Sequence, residues 1–214
     1  QHVVQLVPFL DDAYPANLLT IYDPPPCLYV KGELRREDSR AVAVVGSRFA
    51  SSYGQMVTER ISRDIARQGM TIVSGMARGI DTSAHRGALS VKRRTIAVLG
   101  CGVDVTYPLE NKKLKDDIAS CGAVISEFPM STGPAGCNFP RRNRIISGMS
   151  LGVVVVEASH RSGSLITARL ALDQGRDVFA VPGSIDSPRS RGPHQLLKEG
   201  ATLVEDAQAI SAEL

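Results

Sequence analysis

Short apolar runs rich in β-branched residues recur along the chain and alternate with segments of helical periodicity. Runs of this kind are typical of strands that are buried on both faces of a sheet. They lie at Ala41–Val45, Thr71–Val73, Thr95–Leu99, Ala123–Ile125, Val153–Val156 and Asp177–Val181. The intervening segments predict helices at Gln55–Gln68, Ile80–Ser90, Asn111–Ser120, Arg142–Met149 and Leu165–Gln174. This alternation predicts an extended Rossmann-like α/β fold, with a mostly parallel sheet and helices on both faces.

The two ends of the chain do not follow this rhythm. In residues 1–40, three consecutive prolines precede the short apolar run Leu28–Val30, which predicts an extended lead-in whose last piece adds a strand at an edge of the sheet. Near the other end, a short helix at Gln195–Glu199 precedes the run Ala201–Val204. We therefore expect a lead-in that packs on one main domain, a Rossmann-like domain at 41–214.

The composition excludes several classes of protein. The hydrophobic share of 43% is that of a globular core, and no apolar run approaches the roughly 20 residues of a membrane span. The first residues lack the basic head and apolar centre of a signal peptide. The four cysteines stand alone, without C-x-x-C pairs or flanking histidines. We expect reduced thiols, no metal, no cofactor and a cytoplasmic location.

Positive charge is concentrated in one stretch. Residues 128–172 contain five arginines and a single acid, Glu157, so this stretch has a net charge of +4 and the rest of the chain −1. Residues 138–147 read NFPRRNRIIS, and no Asp or Glu occurs from Phe128 to Val156. We therefore expect an anionic ligand to neutralise the arginines of this segment, with a solvated basic helix face as the alternative. These residues are Arg141, Arg142 and Arg144.

Two loops at predicted strand ends are typical of anion-binding turns. The sequence VVGSRFASSYGQM follows the first strand and EASHRSGSLITARLAL follows the fifth, each with glycine and hydroxyl residues ahead of a helix. Neither is a G-x-G-x-x-G or a Walker A loop, and a plain turn with a surface arginine remains possible for the first. The candidate binding residues of these loops are Gly46, Ser47, Arg48, Ser51, Arg161, Ser162, Gly163, Ser164 and Thr167.

Other strand ends add four candidates. Arg78 follows the second strand, and Lys112 lies in a first helical turn, where a cation opposes the helix dipole and is more easily explained by a ligand. Phe139 offers a face on which a base could stack, although a core Phe is the usual alternative, and Asn143 lies among the arginines.

A possible acid–base pair follows the second strand. Asp81 and His85 are one helical turn apart, but no third group accompanies them. We assign Asp81 to capping or to the helix dipole, and His85 to the helix surface or to helix packing.

Several segments resemble, in family order, the DNA-processing proteins of the DprA/Smf family. They are GSRFASSYG, SGMARGID with HRGAL, VLGCGVDVTYPLEN, FPRRNRII, VVVVEASHRSGSLITA and RDVFAVPGS, in a match from about Tyr14 to Val204. The resemblance implies an extended Rossmann domain without catalytic activity. It implies that this domain binds single-stranded DNA, forms homodimers and hands the strand to a RecA-type recombinase during natural transformation. It puts the phosphate loop at 46–48 and the basic pocket at 139–144 and 162–167.

The chain also departs from the family pattern. Members commonly carry a helical domain before this region and often a winged-helix domain after it, and neither is seen in the sequence. His194 stands where the family usually has Asn, so no role is transferred to it. The apolar segment Leu196–Ile210 is a candidate surface for self-association, and a buried edge is an equally good interpretation.

Two other functions fit the same fold. Lysine-decarboxylase-like phosphoribohydrolases cleave nucleoside monophosphates with a Gly-rich turn and nearby carboxylates, a role open to Glu127 and Glu157, although RSGSLIT replaces their P-G-G-x-G-T turn. A dinucleotide-dependent oxidoreductase is disfavoured because no G-x-G-x-x-G follows the first strand and Ser74, rather than an acid, closes the second.

Overall fold

A computed structural model describes residues 3–214 of the chain. In this range, one mixed sheet has the strand order β1-β2-β6-β5-β4-β3-β7-β8-β9. The strands are β1 (Val4–Pro8), β2 (Cys27–Gly32), β3 (Ala41–Val45), β4 (Thr71–Ser74), β5 (Thr95–Val98), β6 (Ala123–Ser126), β7 (Gly152–Val155), β8 (Asp177–Ala180) and β9 (Thr202–Leu203). The α-helices are α1 (Ser52–Arg67), α2 (Ile80–Ser90), α3 (Lys112–Cys121), α4 (Asn138–Gly148), α5 (Gly163–Asp173), α6 (Arg191–Lys198) and α7 (Ala207–Ser211).

The direction in which successive parallel strands are added to the sheet reverses at its centre. Strands β3 to β9 pair in parallel, whereas β2 pairs antiparallel with both β1 and β6. From β3 the chain winds outward through β4 and β5 to β6. It then returns to β7 on the other side of β3 and continues to β8 and β9. The fold is therefore the predicted Rossmann-like one, with its switch point between β3 and β7.

Successive side chains of the strands point to opposite faces of the sheet and pack in two hydrophobic cores, one on each face. In β3, Ala41, Ala43 and Val45 pack with α4, α5 and α6, whereas Val42 and Val44 pack with α1 and α2. The apolar residues of α3 cover the second face farther along. Burial on both faces explains why these strands have continuous rather than alternating apolar sequences.

The lead-in extends the sheet farther than expected. Leu28–Val30 does form a strand, but its prediction as the edge is wrong, because β1 pairs with the outer side of β2. The segment Val4–Pro8 was missed because an isolated short strand containing a proline has a weak sequence signal. No helix in residues 3–214 has both the length and the apolar character needed to cross a membrane.

Helix α4 begins at Asn138 rather than at the predicted Arg142. Pro140 lies in its first turn, where the missing N–H has no intrahelical acceptor, so the proline does not interrupt the helix. Phe139 and Arg141 therefore belong to the helix, in which Arg142 and Arg144 were already expected.

Candidate functional site

A cleft of about 650 Å³ opens at the carboxyl ends of β3 and β7. These strands are hydrogen-bonded neighbours from which the chain departs toward opposite edges, so the loops that follow them separate and leave a crevice. The β3–α1 and β7–α5 loops and the first turns of α4 and α5 form most of its wall. Open parallel sheets bind their ligands at this position.

The structure divides the predicted site residues into two groups. Those that line the cleft are Gly46, Ser47, Arg48, Phe139, Arg142, Asn143, Ser162, Gly163, Ser164 and Thr167. Those that do not line it are Ser51, Arg78, Lys112, Arg141, Arg144 and Arg161. Loops from separate strands thus converge as expected, but with two arginines rather than the larger set that the sequence suggested.

Arg48 is the exposed cation of the cleft. Its guanidinium carbon lies 5.2 Å from the centre of the Phe139 ring, in cation–π contact. Among the ion pairs formed by residues 3–214, none involves Arg48. Its charge is therefore free to meet an anion.

The backbone that presents Arg48 is held at several points. Ser47 N–H donates to the carbonyl of Glu157 at 2.6 Å, and the Ser47 carbonyl accepts from Ile80 N–H at 3.1 Å. Phe49 N–H donates to Ser47 Oγ at 3.1 Å, and Arg189 Nε donates to the Phe49 carbonyl at 2.6 Å. The segment between Ser47 and Phe49 is thus fixed by β7, α2 and the β8–α6 loop.

Glu157 occupies the N-terminus of α1. Its carboxylate accepts from Ser51 N–H at 2.9 Å and from Ser51 Oγ at 2.5 Å, while Ser51 Oγ caps the helix by accepting from Gly54 N–H. The carboxylate complements the helix dipole at the place where a phosphate would otherwise bind. Ser51 is thus engaged by an internal acid and does not line the cleft, so the structure gives no support to its predicted part in the anion site.

The N-terminus of α5 remains open to the cleft. Ser162 is its N-cap, Gly163 follows, and no acidic residue lies in the first turn. A Cβ built on Gly163 would meet nothing within 4 Å, so there is free space at these N–H groups. Asn143 donates from Nδ2 to the Gly163 carbonyl at 3.3 Å and so ties α4 to this turn. The turn has both the room and the polarity for an anion.

The three arginines of α4 diverge. Arg142 is buried and donates from Nη1 to the carbonyls of Gly75, at 2.9 Å, and of Val98. These carbonyls end β4 and β5, so Arg142 fastens α4 to the sheet as well as lining the cleft.

Arg144 and Arg141 turn to the side of α4 away from the cleft. Arg144 forms a bidentate pair with Glu127, at 2.9 Å from Nη1 to Oε1 and 2.8 Å from Nη2 to Oε2, and a further pair with Asp23 at 3.2 Å. Arg141 lies 3.4 Å from Glu127 and over the ring of Phe128. The expectation that a ligand must neutralise these two arginines is wrong. Their partner, Glu127, lies one residue before the acid-free segment.

The remaining predicted cations lie outside the cleft. Arg78 is paired with Glu110 through Nε and Nη2, which cancels its charge. Lys112 and Arg161 are exposed and do not line the cleft. Arg78 borders the second cavity described below, whereas any part of Lys112 and Arg161 in binding would be long-range attraction.

Buried polar groups lie beneath the cleft. Burial raises the pKa of Asp81, although the nearby Arg142 cation opposes the rise, and Asp81 accepts from Ala77 N–H at 3.3 Å. Burial also lowers the pKa of Arg142 to about 10, so it remains a cation at neutral pH. The lining contains two arginines and one carboxyl group, so its basic side chains outnumber the acidic one.

His85 has a packing role, in line with its assignment from sequence. Burial and the Arg142 cation lower the pKa of His85 to about 3, so the ring is neutral at pH 7. The Thr95 hydroxyl donates to the Ile72 carbonyl at 2.8 Å, so His85 Nδ1 is the donor in its 2.7 Å bond to Thr95 Oγ1.

Aromatic residues form the other wall. Phe139 is half-buried, with Tyr107 at 5.6 Å between ring centres and the guanidinium of Arg142 at 6.0 Å. A second cavity of about 130 Å³ lies beside it, bounded by Leu99, Gly100 and Tyr107. Sequence reasoning missed Phe49, whose ring is 77% exposed and borders both cavities. Only its place in the GSRFASSYG loop could have indicated it.

The carboxylates proposed for the enzymatic alternative are already engaged. Glu127 pairs with Arg144, Glu157 holds Ser51, and neither side chain lines the cleft. No group of three or more His, Cys, Asp or Glu side chains that could hold a metal occurs within residues 3–214. The geometry thus gives no support to a carboxylate-based hydrolase at this site.

Comparison with known proteins decides the family. The model of the family described as DNA recombination-mediator protein A matches residues 5–214. The chain belongs to this family. It is 50% identical over 210 residues to Protein Smf of Escherichia coli strain K12 and 48% identical over 204 residues to DNA processing protein DprA of Streptococcus pneumoniae. These matches cover 98% and 95% of the chain but 56% and 72% of the two relatives, so the chain spans roughly half to three quarters of their length.

Solved structures agree with this family membership. The X-ray structure of DprA from Streptococcus pneumoniae superposes with a TM-score of 0.94 at 47% identity, covering 99% of the chain and 74% of that protein. DprA from Helicobacter pylori, described by its single-stranded DNA binding mode, superposes with a TM-score of 0.85 at 30% identity, covering 98% and 94%. The molybdenum cofactor carrier protein of Chlamydomonas reinhardtii, at 19% identity and a TM-score of 0.54, shares the fold alone.

Proposed function

We propose that the cleft binds single-stranded DNA by its sugar–phosphate backbone and one unstacked base, without catalysing a reaction. The observation that carries the proposal is the exposed Arg48, whose guanidinium lies over the Phe139 ring in the cleft and which forms no ion pair within residues 3–214. The acid-free N-terminus of α5 lines the same cleft. A cation, helix N–H groups and an aromatic ring together match a phosphate followed by a base.

The phosphate is assigned to the space between the Arg48 side chain and the Ser162–Ser164 turn. Arg48 can donate two parallel bonds to phosphate oxygens, and the turn adds N–H groups and hydroxyls. Because α1 already has Glu157 at its N-terminus, α5 is the better of these two helix ends for an anion. The contact involves no base edge, so binding should show little sequence preference.

The base is assigned to the second cavity, beside Phe139. Its volume, about 130 Å³, and its mostly apolar boundary suit one flat ring system. Arg48 covers the accessible face of Phe139, so it must shift toward the phosphate when a base enters. A duplex keeps its bases stacked and paired, so it cannot supply this contact. The single-stranded DNA binding described for the Helicobacter pylori relative supports single-stranded DNA as the ligand.

Family membership supports a proposal for two partners. We propose that the protein acts in the cytoplasm as a homodimer that delivers the bound strand to a RecA-type recombinase, as in natural transformation. Sedimentation of the free protein tests the dimer. Filament assembly by the recombinase on strands coated with this protein tests the delivery.

The central test replaces Arg48. Removing a charge-assisted phosphate contact should weaken binding of a fluorescein-labelled 20-nucleotide thymidine strand by about 1–3 kcal/mol in Arg48→Ala. The dependence of log Kd on log salt should also become shallower by about 0.7. Fluorescence anisotropy across a salt series measures both quantities, with a duplex of the same length as the comparison ligand.

Arg93→Ala is the matched control. Arg93 is also exposed, but it lies just before β5, at the opposite end of the sheet from the cleft. It should leave affinity and salt dependence near those of the wild type. Equal binding by wild type and Arg48→Ala, or equal affinity for single and double strands, would reject the proposed site.

A further inference from the structure

We infer that Phe49 is a second base-stacking residue, which holds the nucleotide next to the one in the Phe139 cavity, and that Arg189 positions it. This inference rests on the proposed function and concerns a residue whose role neither the sequence pattern nor the family match assigns. Phe49 follows Arg48 directly, so a base on its ring would belong to the same stretch of strand as the phosphate at Arg48.

The exposure of Phe49 is unusual for its position. Its ring is 77% exposed, while the neighbouring Phe139 is half-buried. A single exposed apolar side chain needs no explanation on most surfaces. This one borders both the cleft and the smaller cavity and stands beside Arg48, for which the described part of the chain supplies no ion-pair partner.

The backbone of Phe49 is held on both sides of the residue. Its N–H is held by Ser47 Oγ at 3.1 Å and its carbonyl by Arg189 Nε at 2.6 Å. Arg189 is itself fixed, because its carbonyl accepts from Ala158 N–H at 2.8 Å. Three segments that follow β3, β7 and β8 thus cooperate to present one aromatic ring to solvent.

A nucleobase is the ligand that fits this arrangement. Every base has a π-face, so stacking on an aromatic side chain tolerates any sequence and complements backbone contacts. An adjacent guanidinium, Arg48, keeps the sugar–phosphate chain close to the ring. The protein would then grip two successive nucleotides, one inserted beside Phe139 and one stacked outside on Phe49.

The test separates stacking from charge by using two ligands. One is the labelled 20-nucleotide thymidine strand, and the other is a strand of the same length built from abasic sites, which keeps the phosphates but has no bases. In Phe49→Leu, which stays apolar but has no π-face, affinity for the thymidine strand should fall about 5- to 150-fold. Affinity for the abasic strand should stay within about twofold of the wild type. Phe49→Tyr should bind both strands like the wild type.

Controls distinguish this inference from the proposed function. Arg48→Ala should weaken binding of both strands, because it removes a phosphate contact. Tyr22→Leu, a change in a fully exposed aromatic residue of the lead-in that does not line the cleft, should affect neither. If wild type binds the thymidine strand and Phe49→Leu binds it equally well, the inference about Phe49 fails while the cleft stands. If wild type binds no single strand, both fail.

Arg189 has its own readout. Arg189→Ala removes the hydrogen bond to the Phe49 carbonyl. The affinity for the thymidine strand, divided by that for the abasic strand, should therefore decrease toward the value for Phe49→Leu. A uniform loss on both strands would show that Arg189 acts only through its charge and would overturn its positioning role. Unchanged binding of both strands would overturn it as well.

Discussion

Arg141, Arg142 and Arg144 meet different surroundings because an α-helix turns by about 100° per residue. Positions 141 and 144 share one side of α4 and reach Glu127, whereas 142 points to the ends of β4 and β5. Arg142 therefore connects α4 to the sheet by hydrogen bonds, whereas Arg141 and Arg144 form ion pairs. Arg48, from another strand end, is left as the exposed cation of the cleft.

Arg144→Met should damage stability rather than binding. It leaves the carboxylate of Glu127, whose side chain is 4% exposed, with only the longer contact to Arg141. An uncompensated buried charge of this kind costs about 2–4 kcal/mol of unfolding free energy. Urea denaturation should show this loss, while the folded variant should bind the thymidine strand like the wild type.

Removing both charges provides the check on that interpretation. Glu127→Leu with Arg144→Met should recover most of the lost stability, because the charges that lose a partner, on Arg141 and Asp23, are exposed to water. A folded Arg144→Met protein that binds strands as weakly as Arg48→Ala would contradict the assignment of Arg144 to the ion pair.

The residue-level errors of sequence reasoning share one cause. The acid-free stretch from Phe128 to Val156 is real, but charge pairing depends on what folds nearby, and Glu127 at the end of β6 lies just outside it. The exposure of Phe49 depends likewise on a bond from Arg189, 140 residues later in the chain. Neither contact leaves a local pattern. The turns ahead of α1 and α5 could be predicted because glycine and hydroxyl residues before a helix form such turns locally.

At the scale of elements, the β3–α1 and β4–α2 loops depend on each other. Gly79, at the N-cap of α2, has φ +71° and ψ −121°, a conformation that strains other residues. A Cβ there would overlap the Ser47 carbonyl oxygen and lie 2.8 Å from that of Arg48. The glycine thus allows α2 to begin directly against the backbone that carries Arg48.

Gly79→Ala should therefore reduce both stability and binding. We expect a loss of about 1–3 kcal/mol in unfolding free energy from backbone strain, together with weaker binding of the thymidine strand as the Arg48 backbone is displaced. Thermal denaturation and anisotropy measure the two effects.

Gly175→Ala is the matched control for strain alone. Gly175 has φ +68° but has nothing within 4 Å of its Cβ position and lies after α5, outside the cleft. Gly175→Ala should lose about 1–2 kcal/mol of unfolding free energy and should bind the thymidine strand like the wild type. Equal binding losses in the two variants would mean that the contact with the Ser47 carbonyl is unimportant.

The elements predicted best from sequence lie in the central, parallel part of the sheet and in the helices that cover it. The bounds of β3 and α2 match their predicted ranges, because strands covered on both faces have unbroken apolar runs. The start of α4 and the strand β1 were not predicted. The first was obscured by Pro140, and the second depends on pairing with β2, a tertiary contact without a local signal.

At the scale of the whole molecule, the buried His85 makes the free energy of unfolding depend on pH. His85 is fully buried with a pKa of about 3, against about 6.5 in an unfolded chain. Because the folded state cannot take up this proton, the stability associated with the neutral ring is complete above pH 6.5. It is lost progressively as the pH falls from 6.5 toward 3.

His85→Gln should flatten this dependence. The wild type should lose about 1.4 kcal/mol of unfolding free energy per pH unit between pH 6 and 4 from this one proton, in addition to the contributions of the carboxylates. Urea denaturation at several pH values gives the slopes. His160→Gln, at an exposed histidine, should keep the wild-type slope. Parallel curves for wild type and His85→Gln would show that the buried ring does not govern acid sensitivity.

The clamped segment from Ser47 to Ser51 has a kinetic consequence. Glu157 holds both of its ends, with its carbonyl and its carboxylate, and α2 and Arg189 hold points between. Little disorder remains to be removed when a strand arrives, so association should proceed at a rate governed by diffusion and charge attraction. Added salt should then slow the arrival of the strand more than it hastens departure, and stopped-flow mixing would show which of the two rates changes.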